Sequence, residues 1–315
     1  MAKGTKISVV GAGAVGTAVA YAALIRQCAN EIALYDIDTA KVEAEAADLA
    51  HGSHFTAWPH VYGSSDVAVT SHSDIVVITA GAKQKPGQSR LELVNDNARI
   101  LKAMMPSLVQ ASPDAVFMLV TNPCDVLTMY AQQITGLPTN KVISSGTVLD
   151  SSRLRRLLAD RARISTTSVH ASIIGEHGDS EFALWSQARI GAVPIADFKI
   201  GGQTIFTPTV LEDLQHQVMT SAYKVIAGKG ATNLAIGLSA SRICEAIIRN
   251  ERAVMPVSSI MQGQHGIDKI AISLPSVLGS NGVEQVLDTP MNEEEEAKLI
   301  ASAETIGKTF EAITV

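Results

Sequence analysis

Residues 7–16 of the chain are ISVVGAGAVG, a short apolar run followed by glycines at positions 11, 13 and 16. The apolar run predicts a buried strand over residues 7–10, and the alanine-rich segment over residues 15–27 predicts a helix directly after it. Glycine tolerates the tight turn that such a short connection requires, because it has no side chain to clash. The stretch therefore predicts a strand, a glycine-rich turn and a helix, which together begin a βαβ unit.

The first half of the chain repeats this alternation of apolar strands and helices. Further strands are predicted over residues 32–35, 75–79, 115–120 and 142–144, and further helices over residues 39–50, with Asp38 as the N-cap, and 91–111. The strands are apolar on both faces, which is typical of parallel strands that helices cover on both sides. We therefore expect an α/β fold whose first domain, residues 1–146, holds a doubly wound parallel sheet that ends with the strand at residues 142–144.

The pattern changes after about residue 150. Helices are predicted over residues 151–161, 209–228, 233–249 and 293–314, with strand-like segments at residues 169–174 and 270–275. The connections between them are rich in glycine, proline and asparagine, which favour turns. We therefore expect a second domain of the α+β class over residues 147–315.

The composition excludes several classes of protein. Of the 315 residues, 46% are hydrophobic and 18% charged, which argues against a disordered chain. The longest apolar runs fall far short of the ~20 residues of a membrane span. The net charge of −6 and the 4% of aromatic residues argue against a nucleic-acid partner. Three cysteines without CxxC spacing, and an N-terminus without a secretory cleavage pattern, predict reduced thiols in a cytoplasmic protein.

The glycines at positions 11, 13 and 16 form a GxGxxG motif between the predicted strand and helix. In a doubly wound (Rossmann) fold, this arrangement places a dinucleotide pyrophosphate at the helix N-terminus, where free N–H groups face the anion. Asp36 follows the second predicted strand, where a carboxylate can bind ribose hydroxyls. The same carboxylate would repel a 2′-phosphate, and Ile37 offers no charge to attract one. The sequence therefore predicts NAD rather than NADP as the cofactor.

Four further motifs bear on the chemistry. They are TAGAKQKPGQSR at residues 79–90, TNPCD at 121–125, SGTVLDSSR at 145–153 and GEHGDS at 175–180. In these motifs, which occur in collinear order with the glycine motif, the sequence resembles the L-lactate/L-malate dehydrogenase family. Within that family it is similar to the bacterial L-lactate dehydrogenases that respond to fructose 1,6-bisphosphate.

The resemblance implies a role for each group. His177 would donate a proton to the ketone oxygen in reduction and accept it in oxidation, with Asp150 on its other ring nitrogen. Arg153, three residues after Asp150 and on the same helix face, would hold the substrate carboxylate through two parallel hydrogen bonds. Arg90 would polarise the substrate carbonyl when its loop closes. Asn122 and Thr232 would contact the substrate, and the cofactor would contact Gly11, Gly13, Val15, Gly16, Asp36, Lys41, Gly81, Ala82, Asn122, Ser145 and Ile236.

Gln84 would select the substrate, because this position carries Arg in the malate dehydrogenases of the family and Gln in the lactate dehydrogenases. Oxaloacetate brings a second carboxylate, and burying that charge beside a neutral Gln84 is unfavourable. We therefore expect pyruvate and L-lactate as substrates, with malate or another L-2-hydroxyacid as the alternative. A non-catalytic NAD-binding regulator is a remote alternative, because such a protein needs neither a proton relay nor a substrate clamp. We expect no metal, since His51 and His54 have no further ligand at suitable spacing.

Arg155 and His170 match the positions at which the allosteric members bind fructose 1,6-bisphosphate between subunits. Both side chains can form charge-assisted hydrogen bonds to phosphate. The alternative is that Arg155 is an ordinary helix-surface arginine and His170 an ordinary strand histidine. The resemblance also implies a homotetramer, and an effector site between subunits requires at least a dimer.

Overall fold

The computed structural model describes residues 4–56, 59–82 and 90–315; of Arg90 it describes the backbone alone. Within these ranges the helices are α1 (Ala14–Arg26), α2 (Thr39–Gly52), α3 (Arg90–Ala111), α4 (Cys124–Thr135), α5 (Val148–Ala162), α6 (Pro208–Lys229), α7 (Leu234–Ile248) and α8 (Glu293–Glu311). The strands of the first half are β1 (Lys6–Val10), β2 (Glu31–Tyr35), β3 (His60–Ser64), β4 (Ile75–Ile78), β5 (Val116–Leu119) and β6 (Val142–Ser144). Those of the second half are β7 (Val169–His170), β8 (Ile173–Ile174), β9 (Phe182–Ala183), β10 (Arg189–Ile190), β11 (Val193–Pro194), β12 (Lys199–Ile200), β13 (Gln203–Thr204), β14 (Ala253–Met255), β15 (Ser258–Gln262), β16 (Asp268–Ser273), β17 (Ser276–Gly279) and β18 (Gly282–Val286).

The main sheet has the order β16-β15-β6-β5-β4-β1-β2-β3 in the described part of the chain. Strands β1 to β6 run parallel, with β1 between β2 and β4, so the predicted doubly wound parallel sheet is confirmed. The prediction that the sheet ends with β6 is wrong. Strand β15 of the second half pairs antiparallel with β6, and β16 pairs antiparallel with β15. The sequence analysis also missed β3, which lies at the opposite edge.

Both faces of the parallel strands are buried, as their unbroken apolar sequences predict. In β1, Ile7 and Val9 pack into one apolar cluster with α1 and α7, while Val10 packs into a second cluster with α3 and α4. Strand β4 divides its side chains between the two clusters in the same alternating way. Helix α7, from the second half, is therefore part of the core that supports the sheet of the first half.

Local sequence explains where the helices begin. Asp38 caps α2, because its carboxylate accepts a hydrogen bond of 3.1 Å from the N–H of Lys41, and this N-cap was predicted. Helix α8 begins with a capping box in which Asn292 and Glu295 each bind the other's backbone N–H. Helix α5 begins at Val148, three residues before its predicted start, and this extension places Asp150 in the first turn.

The second half consists of small antiparallel sheets and helices, as the α+β prediction requires. The segment predicted as a single strand at residues 169–174 is instead two strands. Strand β7 pairs with β10 in one sheet, whereas β8 pairs with β9 in another. Among the residues that the structure describes, no helix combines the length and apolar character needed to cross a membrane.

Candidate active site

The glycine-rich turn joins β1 to α1 at the carboxyl edge of the sheet. Gly11 has φ +100°, and its N–H donates to the carbonyl of Tyr35 at 2.7 Å. A Cβ on Gly16 would lie 1.8 Å from the carbonyl oxygen of Gly11, so the helix can pack this closely only with glycine there. A Cβ on Gly13 would meet nothing within 4 Å. The start of α1 is therefore open on the side where a pyrophosphate would lie.

Asp36 lies directly after β2 and faces this turn. One carboxylate oxygen accepts the N–H of Ala12 at 2.7 Å, and the other accepts the N–H of Asp38 at 3.1 Å. The neighbouring Ile37 is 87% exposed. The turn, the open helix start and the fixed carboxylate together fit the ADP part of a dinucleotide. Of the other predicted cofactor residues nearby, Val15 is half-buried in α1 and Lys41 is exposed in α2.

Four more of the predicted cofactor-binding residues follow neighbouring strands of the sheet. Gly81 and Ala82 come after β4, Asn122 after β5 and Ser145 after β6, so all lie at the carboxyl edge of the parallel strands. Asn97, a buried residue of α3, joins two of these loops. Its side-chain oxygen accepts the N–H of Ala82 at 2.7 Å, and its side-chain nitrogen donates to the carbonyl of Asn122 at 2.9 Å. The sequence analysis missed Asn97.

The structure brings together His177 and Asp150, the predicted proton-transfer pair, which is called the dyad below. The Nδ1 atom of His177 lies 2.7 Å from one oxygen of Asp150, and Nη1 of Arg153 donates to the other at 2.5 Å. Asp150 is buried, whereas the side chains of His177 and Arg153 are 26% and 17% exposed. One buried carboxylate thus joins a histidine and an arginine that both reach the surface of the site.

Charge interactions shift the proton affinities of this pair. Burial lowers the pKa of His177, but the negative charge and hydrogen bond of Asp150 raise it more, to about 9. Burial opposes ionisation of Asp150, yet the adjacent His177 and Arg153 bring its pKa below its usual range. Asp150 is therefore an ionised carboxylate that stabilises the imidazolium form of His177, as a proton donor to an oxygen anion requires.

Two further carboxyl groups surround His177. The sequence analysis included Asp125 in the TNPCD motif without giving it a role, and it missed Glu181. Asp125, in the first turn of α4, accepts the backbone N–H of His177 at 2.7 Å, and burial raises the pKa of Asp125 to about 6. Glu181 precedes β9 and lies within 4.8 Å of Asp150 and His177. Both oxygens of Asp150 already bind His177 and Arg153, so we assign no metal to this group.

Two comparisons cover both halves of the chain. Residues 5–144 match the family model described as lactate/malate dehydrogenase, NAD binding domain. Residues 147–314 match the one described as lactate/malate dehydrogenase, alpha/beta C-terminal domain. The chain belongs to the lactate/malate dehydrogenase family. The family resemblance drawn from the four motifs is thereby confirmed.

Individual members of the lactate/malate dehydrogenase family are similar over nearly the whole chain. An L-lactate dehydrogenase of Bifidobacterium animalis subsp. lactis is 46% identical over 98% of this chain and 96% of its own length. One from Synechococcus is 42% identical over 98% and 99%. The structure of a minor L-lactate dehydrogenase from Enterococcus mundtii has a TM-score of 0.94, with 35% identity and 99% of each chain covered. The chain is therefore an NAD-dependent oxidoreductase of the lactate/malate dehydrogenase family, and NAD is its cofactor.

The remaining predicted residues of this family's substrate site are only partly described. Arg90 is the first residue of α3, but its side chain, like the whole of Gln84, lies outside the described residues. Thr232 precedes α7 and Ile236 lies in its first turn, and both are half-buried.

The two residues predicted to bind an effector lie together, away from the dyad. Arg155 and His170 line one cavity of about 310 Å³, and its walls include Gln187, Asp288 and Thr289. Nε of Arg155 donates to the carbonyl of Ala171 at 2.8 Å, and burial lowers the pKa of Arg155. The structure thus places a half-buried cation and a histidine on the wall of the same cavity.

Proposed function

We propose that this chain is an NAD-dependent L-lactate dehydrogenase that interconverts pyruvate and L-lactate. One observation carries the proposal: a buried carboxylate, Asp150, binds both a histidine that can pass a proton and an arginine that can hold a carboxylate. A 2-oxoacid offers a ketone oxygen and a carboxylate on adjacent carbons, which are the two groups that this arrangement can engage. The names of the relatives reported above support lactate over malate.

His177 passes the proton in this mechanism. Because its Nδ1 binds Asp150, its Nε2 is the nitrogen left to face the substrate oxygen. In pyruvate reduction, Nε2 donates a proton to the ketone oxygen, and in lactate oxidation it accepts the hydroxyl proton. Asp150 fixes the orientation of the ring and stabilises the imidazolium. Bound NAD supplies hydride exchange at C2 of the substrate.

Arg153 binds the substrate carboxylate. A guanidinium has five N–H donors, and the structure uses one of those of Arg153 on Asp150, which leaves others for the substrate. Arg90 and Asn122 polarise the substrate carbonyl, and Thr232 lines the pocket for its methyl group. These roles come from the family resemblance.

The carboxyl edge of the parallel strands would hold NAD. The glycine turn would bind its pyrophosphate and Asp36 its adenosine ribose, as the open start of α1 and the fixed carboxylate support. The residues on the nicotinamide side are Gly81, Ala82, Asn122, Ser145 and Ile236.

The test of this function is the rate of NADH oxidation, measured separately with pyruvate and with oxaloacetate. We expect a strong preference for pyruvate, because Gln84 offers no positive charge to a second carboxylate. Gln84→Arg should shift the preference towards oxaloacetate. A preference for oxaloacetate in the unmodified protein would overturn the substrate assignment, and turnover of neither would overturn the function.

We also propose that fructose 1,6-bisphosphate activates the enzyme at the cavity lined by Arg155 and His170. The support is that a half-buried cation without an acidic partner among the described residues shares this cavity with a histidine. Equal activation of His170→Gln and the parent protein would contradict the proposal.

A homotetramer is proposed from the family resemblance, and one exposed apolar face supports self-association. Tyr21 and Ile25 on α1 and Leu234 and Leu238 on α7 are each more than half exposed, at 53–64%. Residues four apart share one face of a helix, and Tyr21 and Leu234 line the same groove. Sedimentation equilibrium should give the mass of four chains, and a monomer would contradict this.

The three free, buried cysteines fit a reducing compartment, so we propose a cytoplasmic location.

A further inference from the structure

Within the described part of the chain, Glu181 is the one ionisable group beside the dyad to which neither the mechanism nor the fold gives a role. The residue is 5% exposed, and its carboxyl group lies within 4.8 Å of Asp150 and His177. Throughout the described residues, no hydrogen bond or ion pair to this carboxyl group occurs. A buried carboxylate without a partner is strongly disfavoured, so this environment favours the neutral acid.

Four charged groups face Glu181 from the elements around it. Asp150 and Arg153 come from α5, Asp125 comes from α4, and His177 comes from the loop after β8. With His177 protonated and both aspartates ionised, the two cations balance the two anions. In the mechanism proposed above, Arg90 brings a third cation, which balances the substrate carboxylate. An ionised Glu181 would then add an uncompensated negative charge, and it would compete with the substrate for Arg153.

We propose that Glu181 must be a neutral acid for the substrate anion to bind, so that productive binding of pyruvate is linked to two protons, one on His177 and one on Glu181. Glu181 thus acts as a positioning residue that keeps Arg153 available to the substrate. The inference deepens the proposed function and rests on it, because it assigns a regulatory proton to the same site.

The direction of the pH effect follows from the two acids. Burial, and then repulsion by Asp150, raises the pKa of Glu181 to about 8, and that of His177 is raised to about 9. Pyruvate reduction requires both protons, so it weakens as the pH rises through this range. Lactate oxidation requires a neutral His177 but still a protonated Glu181. Its rate therefore rises when His177 loses a proton and falls when Glu181 loses one.

The experiment compares the intact enzyme with Glu181→Gln over about pH 6 to about pH 10.5, at saturating NADH. We expect kcat/KM for pyruvate in the intact enzyme to fall at high pH by about 100-fold per pH unit, since two protons are linked. In Glu181→Gln the fall should be about tenfold per unit, since one proton remains. The additional fall in the intact enzyme should appear as a rise in KM rather than a fall in kcat, because ionisation of Glu181 weakens substrate binding.

Glu295→Gln is the matched control. Glu295 is a carboxylate of similar burial, but it binds the backbone of Ser186 and Asn292 and lies outside the site. Glutamine can replace glutamate in a capping box through its one side-chain oxygen, so Glu295→Gln keeps an acceptor for the N–H of Asn292 and loses only the one for the N–H of Ser186. The variant should therefore fold and keep the slope of the intact enzyme. Lactate oxidation gives a second readout. Its kcat/KM should decline at high pH in the intact enzyme and reach a plateau in Glu181→Gln.

Two results would overturn the inference. One is a fall of only tenfold per pH unit in kcat/KM for pyruvate in the intact enzyme at high pH. The other is that Glu181→Gln shows the same fall per pH unit as the intact enzyme. Proton uptake on binding of oxamate, an analogue of pyruvate, to the enzyme–NADH complex checks the count directly. At about pH 9.5 it should approach two protons in the intact enzyme and at most one in the variant. Failure of the proposed function is distinct, because it means no pyruvate-dependent NADH oxidation at any pH.

Discussion

Helix α5 carries two arginines that differ in what surrounds them. Arg153 donates to Asp150, a buried carboxylate that also binds His177. Arg155, two residues further along, lies on a different side of the helix and donates to the backbone carbonyl of Ala171. The first arginine has its charge balanced before any ligand arrives. The second has no acidic partner among the described residues and lines a cavity.

The difference shows how one helix can present positive charge for two purposes. A paired arginine is held in one orientation, which suits a substrate whose atoms must be aligned for reaction. An unpaired, half-buried arginine retains an unfavourable charge that an incoming anion relieves, which suits a ligand that binds without reacting.

The largest expected effect lies on the dyad side of α5. His177→Asn removes the group that passes the proton, and we expect kcat/KM for pyruvate to fall by about 10²–10⁴-fold. Binding of NADH, followed by its fluorescence, should persist, because the glycine turn and Asp36 lie elsewhere. Near-normal turnover in this variant would remove the dyad from the mechanism.

Replacing each arginine of α5 by lysine tests the comparison directly. Lysine keeps the charge but cannot form two parallel hydrogen bonds to a carboxylate. We expect Arg153→Lys to lower kcat/KM for pyruvate by about 100-fold, mainly through KM. Arg155→Lys should instead reduce the ratio of the rates with and without fructose 1,6-bisphosphate. If the two variants had the same kinetic signature, the distinction between the two sides of α5 would fail.

Asp125 anchors the backbone on the dyad side. Asp125→Ala leaves the half-buried N–H of His177 without its acceptor, and we expect the free energy of unfolding to fall by about 1–3 kcal/mol. Asp125→Asn is the control, because its side-chain oxygen can still accept that bond. Urea denaturation measures both. Equal losses in the two variants would mean that the charge, rather than the hydrogen bond, supports the loop.

The smallest effect is expected in the cavity. His170→Gln removes a hydrogen-bond contact to phosphate, and we expect the activation by fructose 1,6-bisphosphate to weaken by about fivefold. The ratio of pyruvate reduction with and without the bisphosphate measures this. An unchanged ratio would reduce His170 to an ordinary strand residue.

Sequence alone predicted the features that rest on local pattern. The glycine motif, the Asp38 cap and the apolar strands β1, β2, β4, β5 and β6 are all recognisable from their own residues. Strand β3 was missed because His60–Ser64 contains polar residues and glycine, and it forms by pairing with β2 at the sheet edge.

The chemistry of the substrate site was predictable only where the resemblance supplied it, whereas the cofactor site followed from the glycine motif and Asp36. His177 and Asp150 are 27 residues apart, so only the family motif indicated that they meet. Glu181 and Asn97 carry no local signal, because a single polar residue in a polar segment is usually exposed. Asp125 lies in the TNPCD motif, but the motif did not indicate its contact with His177. The importance of all three residues arises from burial, which the packing of distant segments decides.

The pairing of β15 with β6 has a mechanical consequence. Ser258 and Ser259 form the register with Ser144 and Ile143, so the backbone of the second half completes the sheet of the first. A rigid hinge opening between the halves would break this ladder, and rearrangements must therefore be local to loops and helix ends. If the chain were cut after the first half, β6 would become a bare edge ready to pair with another copy. The cofactor-binding half is thus a poor candidate for separate expression.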